Sequence, residues 1–386
     1  MEYIKLGDIC EIKSSKRIYQ SDYVDNGVPF YRGKEISELS RNEDIETELY
    51  ITEEKYKELN EKFGSVQKGD LLITSVGTIG NTWVSDGRKL YYKDGNITQI
   101  VNNDKINTKY ISYLFKSNLI KRQYLKGTSG TAQVALTIEK LKNITIPKLS
   151  IDEQNKIVEV LDKAQSLIEK KKEQIELLDE LVKSRFVEMF GDPVLNTKEW
   201  EVKKVIDVCE CMVPGRDKPK SFTGDIPWIT IDDLKINRVT YKSKSGLGLT
   251  DDEIKEVKRK KIPKGSVLMS CVGNLGICSI AGEDMIINQQ LHSFQCKEIN
   301  NYFLMYYLGF RKDYMESKAS STTVLYMNKT VCNSIPVYLP PIELQNEFAE
   351  FVEQTDSIRS KMEASLSELE DNFNSLMQKA FKGELF

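Results

Sequence analysis

Apolar side chains between residues 157 and 189 recur at alternating steps of four and three: Ile157, Leu161, Ala164, Ile168, Ile175, Leu178, Val182 and Met189, with Lys171 and Arg185 in the remaining places. A 3.5-residue period kept for more than four heptads, with no proline or glycine inside it, predicts a long helix with one packing seam. Adding 191 to each number gives Phe348, Val352, Thr355, Arg359, Met362, Leu366, Leu369, Phe373, Leu376 and Ala380, so a second helix repeats the seam without an insertion. Slipping a helix by one residue turns its apolar stripe away from its partner, and this constancy therefore implies that the two helices pack together. Lys171 and Arg185 have the apolar counterparts Met362 and Leu376. That asymmetry favours one antiparallel pair within the chain over two homodimers, in which each buried charge would be duplicated. The alternative is two amphipathic helices, each lying on its own globule. At 1.5 Å per residue each helix is expected to be about 55 Å long, enough to set its neighbours apart.

Outside the helices the period shortens. Residues 1–150 and 191–341 mix short β-type runs with turn residues and one helix-like stretch. Residues 71–75 and 267–271 read as strands, and the Gly77-Thr78-Ile79-Gly80 and Gly273-Asn274-Leu275-Gly276 steps after them read as tight turns that need permissive backbone. Asn107 and Asn300 are placed to cap helices running over 110–124 and 302–314. The two stretches also share sequence. Asp8-Ile9-Cys10-Glu11 recurs as Asp207-Val208-Cys209-Glu210, the segment 68–80 as 264–276, Gln99-Ile100 as Gln290-Leu291, and Ile151-Asp152-Glu153-Gln154-Asn155 as Ile342-Glu343-Leu344-Gln345-Asn346. Because the order is kept, the chain is a tandem duplication with altered loop lengths. The expected fold is α+β: two similar mixed α/β globules joined by two long helices packed as an antiparallel coiled coil, with a pseudo-two-fold internal repeat.

At 40% hydrophobic and 29% charged residues the chain has the material for ordinary packed cores. No apolar run reaches the roughly 18 residues of a bilayer span, and the first eight residues lack the apolar core of a signal peptide, so a cytoplasmic protein without a membrane partner is expected. The seven cysteines (Cys10, Cys209, Cys211, Cys271, Cys278, Cys296, Cys332) are odd in number and scattered, with no C-x2-C pair. They are expected as reduced, small buried side chains, and no metal is expected. His292 is the only histidine, too few for a multi-histidine metal centre, and is expected as a partly buried polar residue.

Charge divides the chain more sharply than its total of −3 suggests. Residues 1–150 and 191–341 each carry +3, whereas 151–190 carry −3 and 342–386 carry −6. A mildly basic globule suits a phosphate backbone and an acidic rod suits protein partners. Chance variation in surface charge is the competing explanation. Catalytic signatures are sparse. Glu253-Ile254-Lys255 and Glu256-Val257-Lys258 have the spacing of a metal-dependent nuclease, but they lie in a charge-rich run that reads as a solvated helix face. The only Pro-Pro, in Leu339-Pro340-Pro341-Ile342, lacks the polar residue and ring of an Asn/Asp-Pro-Pro-aromatic methyltransferase motif. No G-x-x-x-x-G-K-[ST] phosphate loop occurs. A purely structural coiled-coil scaffold would leave two duplicated basic globules without a role.

Taken in order, several pieces resemble the specificity subunits of type I restriction-modification systems. They are the two-fold repeat, the Gly77-Thr78-Ile79-Gly80 turn, the Gly127-Thr128-Ser129-Gly130-Thr131-Ala132-Gln133 loop before Ile144-Thr145-Ile146-Pro147, Glu153-Gln154 at the start of the first long helix, and Met189-Phe190-Gly191-Asp192-Pro193 at its end. The resemblance covers essentially the whole chain and rests on order and duplication, not on one motif. It implies target-recognition domains at 1–150 and 191–341, joined by helical spacers at 151–190 and 342–386. Each domain would read one half of an asymmetric, bipartite site in double-stranded DNA. The chain itself would be non-catalytic and bind no cofactor. Two methyltransferase subunits would use S-adenosylmethionine to methylate adenine N6, and restriction subunits, where present, would use ATP and Mg. The chain departs from its own repeat at Leu339-Pro340-Pro341 against Lys148-Leu149-Ser150, and at Phe381-Lys382-Gly383 against Phe190-Gly191-Asp192-Pro193. These differences bear on hinge geometry rather than on function.

Reading a base edge takes polar side chains on a protruding loop or helix. The richest stretches, 126–133 and 318–326, occupy corresponding places in the repeat. They nominate Lys126, Thr128, Ser129, Thr131 and Gln133 in the first domain, and Ser320, Ser321, Thr322, Thr323 and Tyr326 in the second. Thr78, Asn81, Asn274 and Lys34 are second choices; for every such loop the alternative is a solvated connection. The helix seam is expected to rest on Ile157, Leu161, Ile168, Ile175, Leu178 and Val182 against Val352, Met362, Leu366, Leu369 and Phe373.

Overall fold

A computed structural model describes residues 2–125, 135–215, 217–321 and 324–385. They form two compact units, Met1–Lys170 with Leu366–Phe386, and Lys171–Ser365, so each long helix contributes to both.

In the first unit the four-stranded antiparallel sheet runs in the order Ile12–Lys13, Ile97–Ile100, Leu71–Thr74, Thr82–Val84. The strand Leu71–Thr74 is buried throughout because both of its faces are covered. Leu71 and Ile73 join the core built on Tyr110, Ile111 and Leu114, while Leu72 joins a second cluster with Ile36, Leu39 and Tyr31, as the two-residue period of a strand requires. The second unit repeats the plan. Its sheet runs Cys209–Met212, Leu291–Cys296, Val267–Ser270, Cys278–Ala281, with Val239–Thr240 added at the edge. Val267 and Met269 face one core and Leu268 the other.

Strand register corrects one detail of the repeat. Leu72 pairs with Gln99, whereas Leu268 pairs with Ser293, so Ser293 and not Gln290 stands in the place of Gln99. Gln290 corresponds to Asn96: the Cys271 N–H donates to the Gln290 carbonyl at 2.9 Å, as the Ser75 N–H does to that of Asn96 at 2.7 Å. Register follows the buried face of each strand, and a chance Gln-apolar dipeptide in the adjoining loop carries no such constraint.

The helices expected after Asn107 and Asn300 are each two helices. Thr108–Lys116 and Asn118–Leu125 are separated by extended Ser117, whose hydroxyl donates to the Leu114 carbonyl at 2.5 Å. Asn301–Phe310 and Lys312–Lys318 are separated at Arg311. The caps form as read. Asn107 Oδ1 accepts from the N–H groups of Lys109 and Tyr110 at 2.9 and 3.2 Å, and Asn300 Oδ1 accepts from Tyr302 and Phe303 at 2.8 and 3.4 Å. Both asparagines also clasp the start of a long helix. The Asn107 N–H donates to Gln154 Oε1 at 2.9 Å and its Nδ2 to Asn155 Oδ1 at 2.8 Å; Asn300 makes the same bonds to Gln345 and Asn346 at 2.8 and 3.0 Å. This explains why the Gln-Asn pairs recur.

The long helices are Ile151–Phe190 and Ile342–Lys382. In the first unit Ile157, Leu161 and Ile168 share a core with Phe373, Met377 and Ala380, edged by half-buried Leu366 and Leu369. Phe373 meets the Tyr113 ring edge-on at 6.1 Å and Phe381 meets Tyr110 at 5.8 Å, so the far end of the second helix packs on the first domain. In the second unit Val182 and Phe186 share a core with Phe348 and Val352, while Ile175, Leu178 and Met362 are half-buried. The start of one helix thus meets the end of the other in each unit, as in an antiparallel coiled coil, and the alternative of helices lying only on their own globules fails. A charge is buried in the seam at Arg359, which is 2% exposed and gives its Nη2 to Asp179 and its Nη1 to Asp356. Arg185 bridges the pair at the edge, 3.1 Å from Glu347.

Candidate nucleic-acid interface

In the first domain the turn after Leu71–Thr74 is held from inside. Gly77 and Gly80 have φ of 79° and 86°, and a Cβ on Gly80 would lie 2.9 Å from the Tyr124 hydroxyl. The Thr74 hydroxyl donates to the Thr78 carbonyl and accepts from the Asn81 N–H at 3.0 Å. Ser37, on the helix Gly33–Leu39, joins the two nominated turn residues: its hydroxyl is 2.8 Å from that of exposed Thr78 and accepts from Asn81 Nδ2 at 3.0 Å. Lys34 lies on the same helix but is already engaged, its ammonium 2.6 Å from Glu48 Oε1. Lys34 and then Arg32 hold the Glu48 carboxyl down at about 2, so a phosphate would have to displace a carboxylate to reach this lysine.

The second domain builds the same turn with an extra layer. Gly273 and Gly276 have φ of 73° and 76°, and the Ser270 hydroxyl donates to the Asn274 carbonyl at 2.6 Å. Exposed Asn274 accepts from Lys312 Nζ at 3.0 Å. Against this turn docks a small hairpin, Ser320–Ser321 with Leu325–Tyr326. The Gly273 N–H donates to the Leu325 carbonyl at 2.9 Å, Val272 bridges Tyr326, and the Met327 N–H donates to the Cys271 carbonyl at 3.0 Å. Tyr326 is left 45% exposed, and the Ser320 hydroxyl donates to its carbonyl at 3.2 Å. The structure therefore brings Asn274, Ser320 and Tyr326 together. In the first domain the Leu136 N–H donates to the Ser75 carbonyl at 2.9 Å, the counterpart of the Met327 bond.

Lys126, Thr128, Ser129, Thr131, Gln133, Thr322 and Thr323 lie outside the described residues, as does the side chain of Ser321. Neither Ser37 nor Lys312 belongs to a recognisable motif, and only tertiary contact marks them as partners of the turns. Other candidate chemistry is absorbed into the fold. Glu253 caps the helix Asp251–Glu256, accepting from the Thr250 N–H at 2.8 Å and from the hydroxyls of Ser221 and Thr223, and these bonds, that of Ser221 first, hold its carboxyl at about 2. All seven cysteines are free thiols, five of them buried. Among the described residues no three His, Cys, Asp or Glu side chains gather as a metal site, and no helix is long and apolar enough to cross a membrane.

Duplicated, mildly basic domains with polar turns at corresponding strand ends, and two acidic long helices, define a tandem-repeat α+β protein. The family model described as the type I restriction modification DNA specificity domain matches residues 1–177 and again 197–371, and the chain belongs to that family. A putative type I restriction enzyme specificity subunit of Haemophilus influenzae is 32% identical over 195 residues, covering 50% of this chain and 47% of the relative. The MjaIX specificity subunit of Methanocaldococcus jannaschii is 27% identical over 171 residues, covering 42% and 39%. The chain thus spans less than half the length of these curated relatives. A chain from a structural study of complex assembly and conformational transition in the type I R-M system shares the fold, with a TM-score of 0.62 at 17% identity over 100% of this chain and 98% of that one.

Proposed function

We propose that this chain is the DNA sequence-specificity subunit of a type I restriction-modification enzyme, acting in the cytoplasm. Domains at 1–150 and 191–341 each read one half of an asymmetric, bipartite target, and spacers at 151–190 and 342–386 hold two adenine-N6 methyltransferase subunits, with restriction subunits where present. The chain supplies recognition; S-adenosylmethionine, ATP and Mg belong to its partners. The observation that carries this reading is the family match recurring once per domain, with a glycine turn at the end of the same central strand each time. Small polar residues there let backbone approach phosphate while side chains reach base edges.

The test is to assemble the full chain with methyltransferase subunits and map the methylated adenines. Two short specified segments flanking unspecified bases are expected. A single uninterrupted motif, or methylation without sequence preference, overturns the reading. Gln133→Ala and Lys126→Ala are each expected to weaken recognition of one half-site only, and equal loss on both halves would show that the domains do not read independently.

A further inference from the structure

We propose that Gln289 reads a base edge in the half-site of the second domain, with adenine as its partner; this rests on the reading of the chain as a DNA-specificity subunit. Gln289 is exposed at the tip of a short loop, and its side chain makes no hydrogen bond among the described residues. Its neighbours are fixed on every side. The Asn288 N–H donates to the Ile229 carbonyl at 2.9 Å, Asn288 Nδ2 donates to Gln290 Oε1 at 2.8 Å, and the Gln290 N–H donates to Asn288 Oδ1 at 3.0 Å. The Gln290 carbonyl then accepts from the Cys271 N–H at 2.9 Å. Cys271 leads straight into the Gly273–Gly276 turn, so Gln289 stands beside the surface already assigned to DNA.

Arg259 fixes the entrance to this loop. It is 7% exposed, lies 4.8 Å from the centre of the Trp228 ring, and gives its Nη1 to the Ile287 carbonyl at 2.7 Å. Its Nε and Nη2 hold the Asp217 carbonyl at 3.1 and 2.7 Å. Burying a cation on carbonyls is costly. Here it ties the 217 segment and the strand Ile286–Ile287 together immediately before Asn288. A loop held this way loses little backbone freedom on binding, so that the ordering cost falls on the Gln289 side chain alone, and the coplanar donor and acceptor of its carboxamide match adenine N7 and N6 in the major groove.

The first domain anchors its corresponding loop in the same manner, the Lys93 N–H donating to the Tyr31 carbonyl at 2.9 Å, yet it carries Asp94 paired with Arg17 at 3.2 Å. The two domains therefore offer different chemistry at one place, as unlike half-sites demand.

The experiment compares the wild-type complex with methyltransferase subunits against complexes of Gln289→Ala and Gln289→Glu, mapping methylated motifs and measuring methylation of duplexes altered at each position. Gln289→Ala is expected to lose on the order of 10- to 100-fold in discrimination at one A·T pair of one half-site, with the other half unchanged. Gln289→Glu, which keeps the shape and loses the donor, behaves alike. A bipartite wild-type motif that both variants leave intact, or a loss confined to a G·C pair, overturns the role of Gln289 alone. A wild-type complex without sequence preference overturns it together with the functional reading.

Discussion

His292 is the chain's only histidine, 1% exposed on the strand Leu291–Cys296, with Nε2 3.1 Å from Asn333 Oδ1. Burial pushes its pKa down to about 4 against the Asn333 bond, and nearby Lys329 adds to the fall. In the unfolded chain the imidazole titrates near its ordinary value, so between that value and about 4 the unfolded state binds the extra proton. Stability attributable to His292 is therefore complete above about pH 6.5 and falls as pH drops toward 4, by about 3 kcal/mol in all. Urea unfolding of the wild type and of His292→Leu across this range checks it; the variant is expected to lose that part of the slope, and parallel curves would contradict it. Arg359 gives a second expectation at this scale. Arg359→Ala removes a seam side chain and leaves two carboxylates, of which Asp179 is 46% exposed, so water offsets part of the loss and a cost of about 2 kcal/mol is expected. Arg359→Met refills the seam and should fall within about 1 kcal/mol of wild type. Equal losses in the two variants, measured as denaturant midpoints, would show that the charge and not the packing matters.

Among elements, the Asn107 clasp joins a cap to a helix start, and the two parts separate by substitution. Asn107→Ala loses the cap and the side-chain donation to Asn155, keeping only the backbone bond to Gln154, and is expected to cost about 1–2 kcal/mol, whereas Asn107→Asp keeps the cap, loses the donation to Asn155 and should cost less. Thermal unfolding of the two variants tests that order. This element also shows what could be read from the chain. The helices were legible because a seam constrains every third or fourth residue over 40 positions, and Asn107 and Asn300 were legible because caps are local chemistry. The breaks at Ser117 and Arg311 were not, since neither residue is a helix breaker by composition; Arg311 is drawn out of line by tertiary contacts, its Nη1 3.2 Å from the Pro193 carbonyl. Arg359 could be placed in the seam by counting, but only the fold shows that Asp179 answers it from 180 residues away. In the candidate interface the glycine turns announced themselves through their positive φ requirement, while Ser37, Lys312 and Arg259 act through contacts that no sequence spacing encodes.

At the level of the whole molecule, duplication lets each half be altered without rebuilding the other, provided that each has its own core. The clusters around Leu71, Leu72 and Val28 draw only on the first unit, and those around Val267, Leu268 and Trp228 only on the second. Substitutions at exposed positions of the candidate interface in different units share no partner, so their effects on the proposed recognition should add to within about 0.5 kcal/mol. Thr78→Ala in the first domain and Gln289→Ala in the second make the cycle. Each is expected to change one half of the methylated motif, and the double variant should show both changes at the strengths of the single ones. A double variant much worse than the sum would mean that one half-site must be engaged before the other is read, and the long helices, which contribute side chains to both cores, would then be the path by which one domain informs the other.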